Sequence, residues 1–269
     1  WYNTNSNIYS NKSIDNKEHY RMKLYNKDKF SDLPSAFLFD TDNTLYAYDE
    51  PHAAGMDAVK SKVVGMFSIS EKDFEKSFHL AKQDVKKIIN GTASSHSRLL
   101  YMQRMMEILG LGSQILMALD LEQTYWRTFL SKARLFSEVK ELLDDIRILG
   151  KPAIVVTDLT AQIQFRKLVY FGLENSFNFV VTSEEAGFDK PHEAPFKIAL
   201  EKANIENDDV WMIGDNPKND ILGSRVSIGA TTIQKIHNGI TLGTEKCSPD
   251  GSFEDFSELR KLIASIEQS

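Results

Sequence analysis

Acidic, hydroxyl and amine side chains follow short apolar segments of this sequence, in a pattern that could support oxygen chemistry. In chain order these polar groups are Asp40-Thr41-Asp42-Asn43-Thr44, Thr157-Asp158, Lys190 within Gly187-Phe188-Asp189-Lys190-Pro191, Asp215 and Asp220. Carboxylates crowded within ~4–6 Å stay ionised together only when a cation compensates them. Oxygen ligands without a nearby His or Cys favour a hard ion, Mg²⁺ in preference to Zn²⁺. Mg²⁺, one Lys and a hydroxyl would together suit the binding of phosphate and the charge that develops during its transfer.

The apolar segments near these groups have the length of buried strands. They are Ala36–Phe39, Ala153–Thr157, Phe179–Thr182, Val210–Ile213 and Ala230–Ile233. Helical patterns separate the later segments, over Thr160–Phe171, Ala194–Ala203 and Lys218–Ser227. Alternating strands and helices predict right-handed crossover units, and therefore an α/β fold with a doubly wound parallel sheet. Ligands of such sheets bind at the carboxyl ends of the strands, which is where the polar groups lie.

About 100 residues without a convincing strand separate the first and second of these segments. Met56, Val59, Val63 and Phe67 form one apolar helical stripe, and Phe74–Ile88 contains a second. Further helices are predicted at Leu99–Leu109, Ile115–Leu130 and Val139–Leu149. We therefore expect an all-helical domain at 49–147, inserted into an α/β core that comprises 35–48 and 148–269.

Composition and charge limit the class of protein. At ~150 residues per domain, the 269 residues correspond to roughly two domains. Thirty-two Lys and Arg against 38 Asp and Glu give a net charge of −6, which argues against a main role in binding nucleic acid. No run approaches the ~20 apolar residues of a membrane-spanning helix, so no membrane partner is expected. The single Cys247 cannot form an intrachain disulfide, which favours a reducing compartment and a cytoplasmic protein.

Residues 1–34 are rich in Asn, Ser and Lys, and their apolar residues are isolated. We expect a solvated tail or linker here, with a partner-binding arm as the alternative. The chain begins with Trp1 and not with Met, as in a fragment or a processed product. The sequence leaves the oligomeric state open.

From about residue 36 onward, the sequence resembles the haloacid dehalogenase (HAD) superfamily of aspartate-nucleophile hydrolases. Asp40-Thr41-Asp42-Asn43-Thr44 is similar to the first motif of that superfamily, with Asn43 where Gly is common. Thr157 matches the second motif, Lys190 the third, and Asp215 with Asp220 the fourth. The position of the helical insertion is similar to that of the cap in the subgroup of phosphoglycolate phosphatase-like, nucleotidase-like and dehalogenase members. The resemblance implies a Rossmann-like core with a helical cap.

The resemblance also implies catalytic roles for individual residues. Asp40 would be the nucleophile that forms an aspartyl-phosphate, and Asp42 would protonate the leaving alcohol and later activate water. Thr157 and the backbone beside Asp158 would bind phosphate oxygens. Lys190 would orient the nucleophile and offset its charge.

The metal expected from the resemblance is Mg²⁺. Its ligands would be Asp40, the backbone carbonyl of Asp42 and Asp215, with Asp220 in support. Substrate selection would lie with the cap, where Ser95-His96-Ser97-Arg98 opens a helix. His96 and Arg98 are the substrate-binding candidates there, because a helix N-terminus readily binds anions. An ordinary capped helix start with exposed side chains is the alternative.

Asp42 separates the chemistries of the superfamily. A halide leaves without a proton, whereas the alkoxide of a phosphomonoester needs an acid such as Asp42. We therefore expect a Mg²⁺-dependent phosphatase that acts on a small phosphorylated metabolite, either a sugar phosphate or a nucleotide. The alternatives are a phosphomutase, a 2-haloacid dehalogenase and a non-catalytic binding module that uses the same fold.

Overall fold

A computed structural model of the chain describes residues 22–205 and 209–268. The strands in these ranges are β1 (Lys23–Leu24), β2 (Ala36–Phe39), β3 (Ala153–Thr157), β4 (Phe179–Thr182), β5 (Val210–Gly214), β6 (Thr231–Lys235) and β7 (Gly251–Phe253). The helices are α1 (Asp49–Phe67), α2 (Glu71–Ile89), α3 (Arg98–Ile108), α4 (Ile115–Lys132), α5 (Val139–Ile148), α6 (Ala161–Phe171), α7 (Ser183–Ala186), α8 (Glu193–Ala203), α9 (Gly223–Ile228) and α10 (Phe256–Glu267).

The strands form one sheet in the order β1-β7-β6-β5-β2-β3-β4. Every neighbouring pair is parallel except β1 with β7. Side chains along a strand alternate between the two faces, so that Phe37 and Phe39 enter one apolar core while Ala36 and Leu38 enter the other. Helices cover both cores, which explains why β2 is apolar throughout. The predicted α/β fold with a doubly wound sheet is confirmed.

The first described residues correct the prediction of a tail as far as residue 34. Lys23 and Leu24 pair with Ser252 and Gly251 of β7. Phe30 is buried, and its ring meets that of Trp211 edge-on at 5.2 Å between centroids. A two-residue strand and one anchoring aromatic residue leave too short an apolar pattern to be recognised in sequence. The tail prediction is therefore wrong for 22–34, and its remaining part, 1–21, lies outside the described residues.

The inserted segment contains the helices that the sequence predicted. α1 packs on α4, α2 packs on α3, and α3 packs on α4. In contrast, α5 contacts α10 and β3, and its Val139, Leu142 and Ile146 side chains are buried. We propose that the helical cap consists of α1–α4 and ends before α5, earlier than the predicted boundary at 147. The apolar stripe of α5 predicts a helix with one buried face, but it does not indicate which domain packs against that face. The predicted cap therefore included most of α5.

Among the described residues, no helix has both the length and the apolar character needed to cross a bilayer.

Candidate active site

Three neighbouring strands bring the predicted motifs to one edge of the sheet. Phe39 of β2 pairs with Val155 of β3 and with Ile213 of β5. Asp40, Thr157 and Asp215 therefore follow these paired positions by one or two residues. A cavity of about 310 Å³ opens at this edge, between the ends of the strands and the helical cap.

Asp40 and Lys190 form a buried ion pair on the sheet side of the cavity. The Lys190 Nζ donates to Asp40 Oδ1 at 2.7 Å and to the carbonyl of Val156 at 2.8 Å. Thr44 Oγ1 donates to the second Asp40 oxygen at 3.2 Å. Burial raises the pKa of Asp40 to about 7, with Lys190 opposing the shift. Burial would lower the pKa of Lys190, but the surrounding carboxylates outweigh it and raise that pKa well above the usual value.

Asp220 is the second carboxylate held by Lys190, at 2.6 Å from its Nζ. It lies in a π-helical segment, Pro217–Leu222, that continues into α9. Its other oxygen accepts from the backbone N–H of Asn216 at 2.9 Å. Gly214 permits this approach, because a Cβ at Gly214 would lie only 2.5 Å from the Asp220 carboxylate.

Asp40, Asp215 and Asp220 form a cluster with the donor chemistry of a metal site. One carboxylate oxygen of each lies within 4.8 Å of the others. Burial, followed by repulsion from Asp220 and Asp40, raises the pKa of Asp215 to about 9. Three converging carboxylates with a single ammonium between them are under-compensated, and a divalent cation would relieve the repulsion. Oxygen ligands of this kind fit Mg²⁺.

Asp42 has its own cation, which the sequence reasoning missed. Lys167 of α6 donates to both Asp42 oxygens, at 2.7 and 2.8 Å, and Tyr46 OH also donates to the carboxylate. Burial would raise the pKa of Asp42, but Lys167, with hydrogen bonds from Tyr46 and Thr41, holds it below the usual value. Lys167 is itself 2% exposed, with its Nζ within 6 Å of the ring centres of Tyr46, Trp126 and Phe129.

A signal for Lys167 was present in the sequence. The buried positions of α6 are Ile163, Gln164, Lys167, Leu168 and Phe171. This spacing of 1, 3, 1 and 3 residues marks one face of a helix. A Lys on the buried face of an amphipathic helix needs a compensating anion, and Asp42 supplies it.

Thr157 and Asp158 are tied to the neighbouring motifs by hydrogen bonds. Thr157 Oγ1 lies 2.8 Å from Thr41 Oγ1 and accepts from Gln164 Nε2 at 3.0 Å. Asp158 Oδ1 accepts from the backbone N–H of Lys190 at 2.9 Å. Burial raises the pKa of Asp158 to about 6. These contacts link the end of β3 to both β2 and the loop that carries Lys190.

Asn43 occupies a left-handed backbone conformation, with φ of 59°. Asn tolerates this region better than most residues, which accounts for its use where Gly is common. Its side-chain oxygen accepts from the backbone N–H of Tyr48 at 2.9 Å, just before α1 begins. Asn43 therefore redirects the chain from the carboxylates that follow β2 toward α1, the first helix of the cap.

The cap candidates His96 and Arg98 both line the cavity. His96 Nε2 lies 3.0 Å from Asp189 Oδ2, in the loop before Lys190, and the backbone N–H of Asp189 donates to Gly91 O at 2.8 Å. Arg98 donates to the carbonyl of His96 at 2.7 Å and to Tyr48 OH. The structure thus brings every predicted site residue to the same cavity. The His96 ring also contacts Asp189 in the loop of the α/β domain that carries Lys190.

The fold and this cavity define an α/β protein with a cluster of carboxylates at the strand ends of its sheet. The chain belongs to the haloacid dehalogenase-like hydrolase family, whose model matches residues 37–233.

Relatives with curated names include two archaeal phosphatases. The chain is 32% identical to a ribulose-1,5-bisphosphate 5-phosphatase of Halopiger xanaduensis, over 75% of this chain and 84% of that protein. It is 27% identical to a glyceraldehyde 3-phosphate phosphatase of Methanocaldococcus jannaschii, over 84% of this chain and 94% of that protein.

Solved structures support the fold. A 2-haloacid dehalogenase from Pseudomonas syringae superposes with a TM-score of 0.67 at 20% identity, covering 86% of this chain and 98% of that one. A HAD phosphatase from Thermococcus onnurineus gives a TM-score of 0.66 at 21% identity, covering 85% and 97%. The similarity to these two structures supports a Rossmann-like core with a helical cap for this chain.

Proposed function

We propose that this chain is a Mg²⁺-dependent phosphatase that hydrolyses a small phosphomonoester, a sugar phosphate or a nucleotide, through an aspartyl-phosphate. The observation that carries the proposal is the pair of carboxylates at the end of β2, Asp40 held by Lys190 and Asp42 held by Lys167. The two archaeal relatives are named as phosphatases of sugar phosphates, which supports the same substrate class.

The first step transfers the phosphoryl group to Asp40. A carboxylate oxygen of Asp40 bonds to phosphorus while the bond from phosphorus to the leaving oxygen breaks. Asp42 donates a proton to that oxygen, so that an alcohol leaves in place of an alkoxide. A phosphate dianion beside Asp42 adds a like charge that raises its pKa and favours uptake of this proton.

The second step releases phosphate from Asp40. Asp42, now a carboxylate, removes a proton from water as the water oxygen bonds to phosphorus and the bond from phosphorus to Asp40 breaks. Thr157 and the backbone at Asp158 would bind the non-reacting phosphate oxygens. Lys190 would keep Asp40 oriented and offset its charge in both steps.

Mg²⁺ would be held by Asp40, Asp215 and the backbone carbonyl of Asp42, with Asp220 in support. When bound, it would offset the negative charge of the phosphate and of the carboxylate cluster. The raised pKa values of Asp40 and Asp215 reflect negative charge that the described residues do not fully compensate, and the cation would compensate it.

The presence of Asp42 favours a phosphatase over a dehalogenase, because a halide leaves without a proton. A phosphomutase would use the same residues. The cavity of about 310 Å³ is at the small end of ligand pockets, which favours a small metabolite as substrate. Release of chloride from a 2-haloacid without any phosphatase activity would overturn the proposal in favour of the dehalogenase.

Metal removal tests the proposal directly. We expect hydrolysis of 4-nitrophenyl phosphate to be lost in EDTA and restored by Mg²⁺, because the carboxylate cluster needs a divalent cation. Mg²⁺ should also raise the unfolding temperature by a few degrees, since it binds the folded state only. This rise should disappear in Asp215→Asn, whereas Asp144→Asn, an exposed change on α5, should retain it. Metal-free activity would contradict the proposal.

Replacing Lys167 with Met tests whether this cation positions Asp42. We expect the single-turnover rate of phosphoryl transfer from an alkyl phosphate to fall about 10–100-fold, because a mispositioned acid protonates the alkoxide poorly. The same rate for 4-nitrophenyl phosphate should fall much less, since 4-nitrophenolate leaves without a proton. The readout is the ratio of the two single-turnover rates, which report the first step without the water-activating second step that both substrates share.

Arg166→Met is the matched control for Lys167→Met, because Arg166 is the exposed neighbour on the same helix. Its ratio of single-turnover rates should equal that of the unaltered chain. An equal loss on both substrates in Lys167→Met would indicate general damage to the site and would contradict a positioning role.

A further inference from the structure

We propose that the cap carries a second anion-binding subsite, formed by Arg98, Lys82 and Lys86, and that the substrate has a second anionic group besides the phosphate that is hydrolysed. This inference rests on the proposed function for the identity of the first group. The second group is a carboxylate or a further phosphate, because both present oxygens to guanidinium and ammonium donors.

The guanidinium of Arg98 lies in the cavity wall without a carboxylate partner among the described residues. Its guanidinium donates to Tyr48 OH and to the carbonyl of His96, but its Nε is buried and has no hydrogen-bond partner among the described residues. The guanidinium carbon lies 5.2 Å from the ring centre of Tyr125 and 5.8 Å from that of Trp126. These aromatic rings support a cation, but they leave its charge without a counter-ion.

Lys82 and Lys86 lie one turn apart on α2 and line the same cavity as Arg98. Within 22–205 and 209–268, no carboxylate forms a salt bridge with either lysine or with Arg98. Burial, with repulsion from Lys86 and Arg98, lowers the pKa of Lys82. Three cations therefore line one wall of the cavity, and no carboxylate of the described residues is paired with any of them.

The charges of the cavity are segregated between its two sides. The carboxylates of Asp40, Asp42, Asp158, Asp215 and Asp220 all come from the sheet edge, while the three cations come from the cap. A phosphate bound at Asp40 would occupy the sheet side, where Lys190 and a metal compensate it. The cap cations would then be free to bind an anion at the other end of the same molecule.

Solvation of long side chains on a surface helix is the ordinary explanation for lysines on α2. It accounts for Lys76 and Lys87, which are exposed and do not line the cavity; Lys82 is exposed as well and Lys86 is half-buried, but both line the cavity. It does not account for Arg98, whose buried Nε lacks both water access and a partner. An anion bound in the cavity beside Arg98 would offset a guanidinium charge that no carboxylate of the described residues pairs with.

Matched pairs of substrates test the subsite. Glycerol 3-phosphate and 3-phosphoglycerate differ by a carboxylate, and ribulose 5-phosphate and ribulose 1,5-bisphosphate differ by a phosphate. We expect kcat/KM to be about tenfold or more higher for the member that carries the second anionic group in at least one pair. Which pair shows the preference identifies the second group as carboxylate or phosphate.

Variants then assign the preference to the cap. Lys82→Met combined with Lys86→Met should reduce it to within about threefold of unity, because two of the three cations are lost. Lys76→Met on the same helix is the control and should keep the full preference. Arg98→Gln should also reduce it, and its unfolding temperature should be measured because Arg98 packs among aromatic rings.

Binding separates failure of this inference from failure of the proposed function. Calorimetric titration of each pair into Asp40→Asn, which lacks the nucleophile, reports affinity without turnover. Hydrolysis of both members with equal kcat/KM, or a preference that survives the double substitution, would overturn the subsite and leave the phosphatase intact. A binding preference without hydrolysis of any compound would overturn the phosphatase and support the subsite. No binding of either pair would overturn the subsite.

Discussion

Asp40→Asn should lower phosphatase kcat by about 10⁴-fold or more, because the amide oxygen cannot serve as the nucleophile that accepts the phosphoryl group. The fold should be retained. Asn has the shape of Asp, and it removes a carboxylate whose burial already raises its pKa to about 7. Turnover of 4-nitrophenyl phosphate in Mg²⁺, with circular dichroism and the unfolding temperature, measures both effects.

Asp32→Asn is the control for this change, because Asp32 is exposed in the turn before β2. It should leave kcat at the level of the unaltered chain. Rapid quenching during turnover of a phosphomonoester that is radiolabelled in its phosphoryl group should trap a phosphorylated chain in the unaltered protein and none in Asp40→Asn. An active Asp40→Asn protein would exclude the aspartyl-phosphate route.

Lys190→Met should have the next largest effect, and it should reduce both stability and activity. The ammonium lies between Asp40 and Asp220 and is 4% exposed, so its removal leaves two buried carboxylates facing each other. Breaking a buried ion pair in this way costs about 3–5 kcal/mol. We expect kcat to fall about 10³-fold or more, because Asp40 loses its orienting partner.

Added Mg²⁺ distinguishes the two consequences of Lys190→Met. A divalent cation offsets part of the carboxylate repulsion, so we expect it to recover part of the unfolding temperature but little of the turnover. Lys197→Met, which removes an exposed ion pair on α8, should change neither quantity. Turnover of Lys190→Met within tenfold of the unaltered chain would contradict the role given to Lys190.

Much of the core was predictable because its local signals agree with its fold. The apolar segment before Asp40 has the composition of a strand buried on both faces, and β2 is such a strand. The carboxyl ends of parallel neighbours meet at one edge, so the proximity of Asp40, Thr157 and Asp215 followed from topology alone.

The features that were not predicted depend on contacts distant in sequence. The apolar face of α6 indicates that Lys167 is buried, but only its partner Asp42, 125 residues away in sequence, shows its role. β7 was missed because a three-residue strand carries little pattern of its own. Lys82 and Lys86 are ordinary helix residues until the fold places them beside Arg98.

The short strand β1 affects whether two copies of this chain can associate through the edges of their sheets. It covers the outer edge of β7, and Asn26 Nδ2 and Tyr25 OH fix the same segment to Asp250 and Ser252 at 2.6 and 3.0 Å. A bare edge presents a row of unpaired N–H and C=O groups to which a strand of a second chain can add. A shortened chain that starts at Ser35 would keep every residue of the cavity yet expose that row. Residues 22–30 therefore protect the sheet against edge-to-edge aggregation.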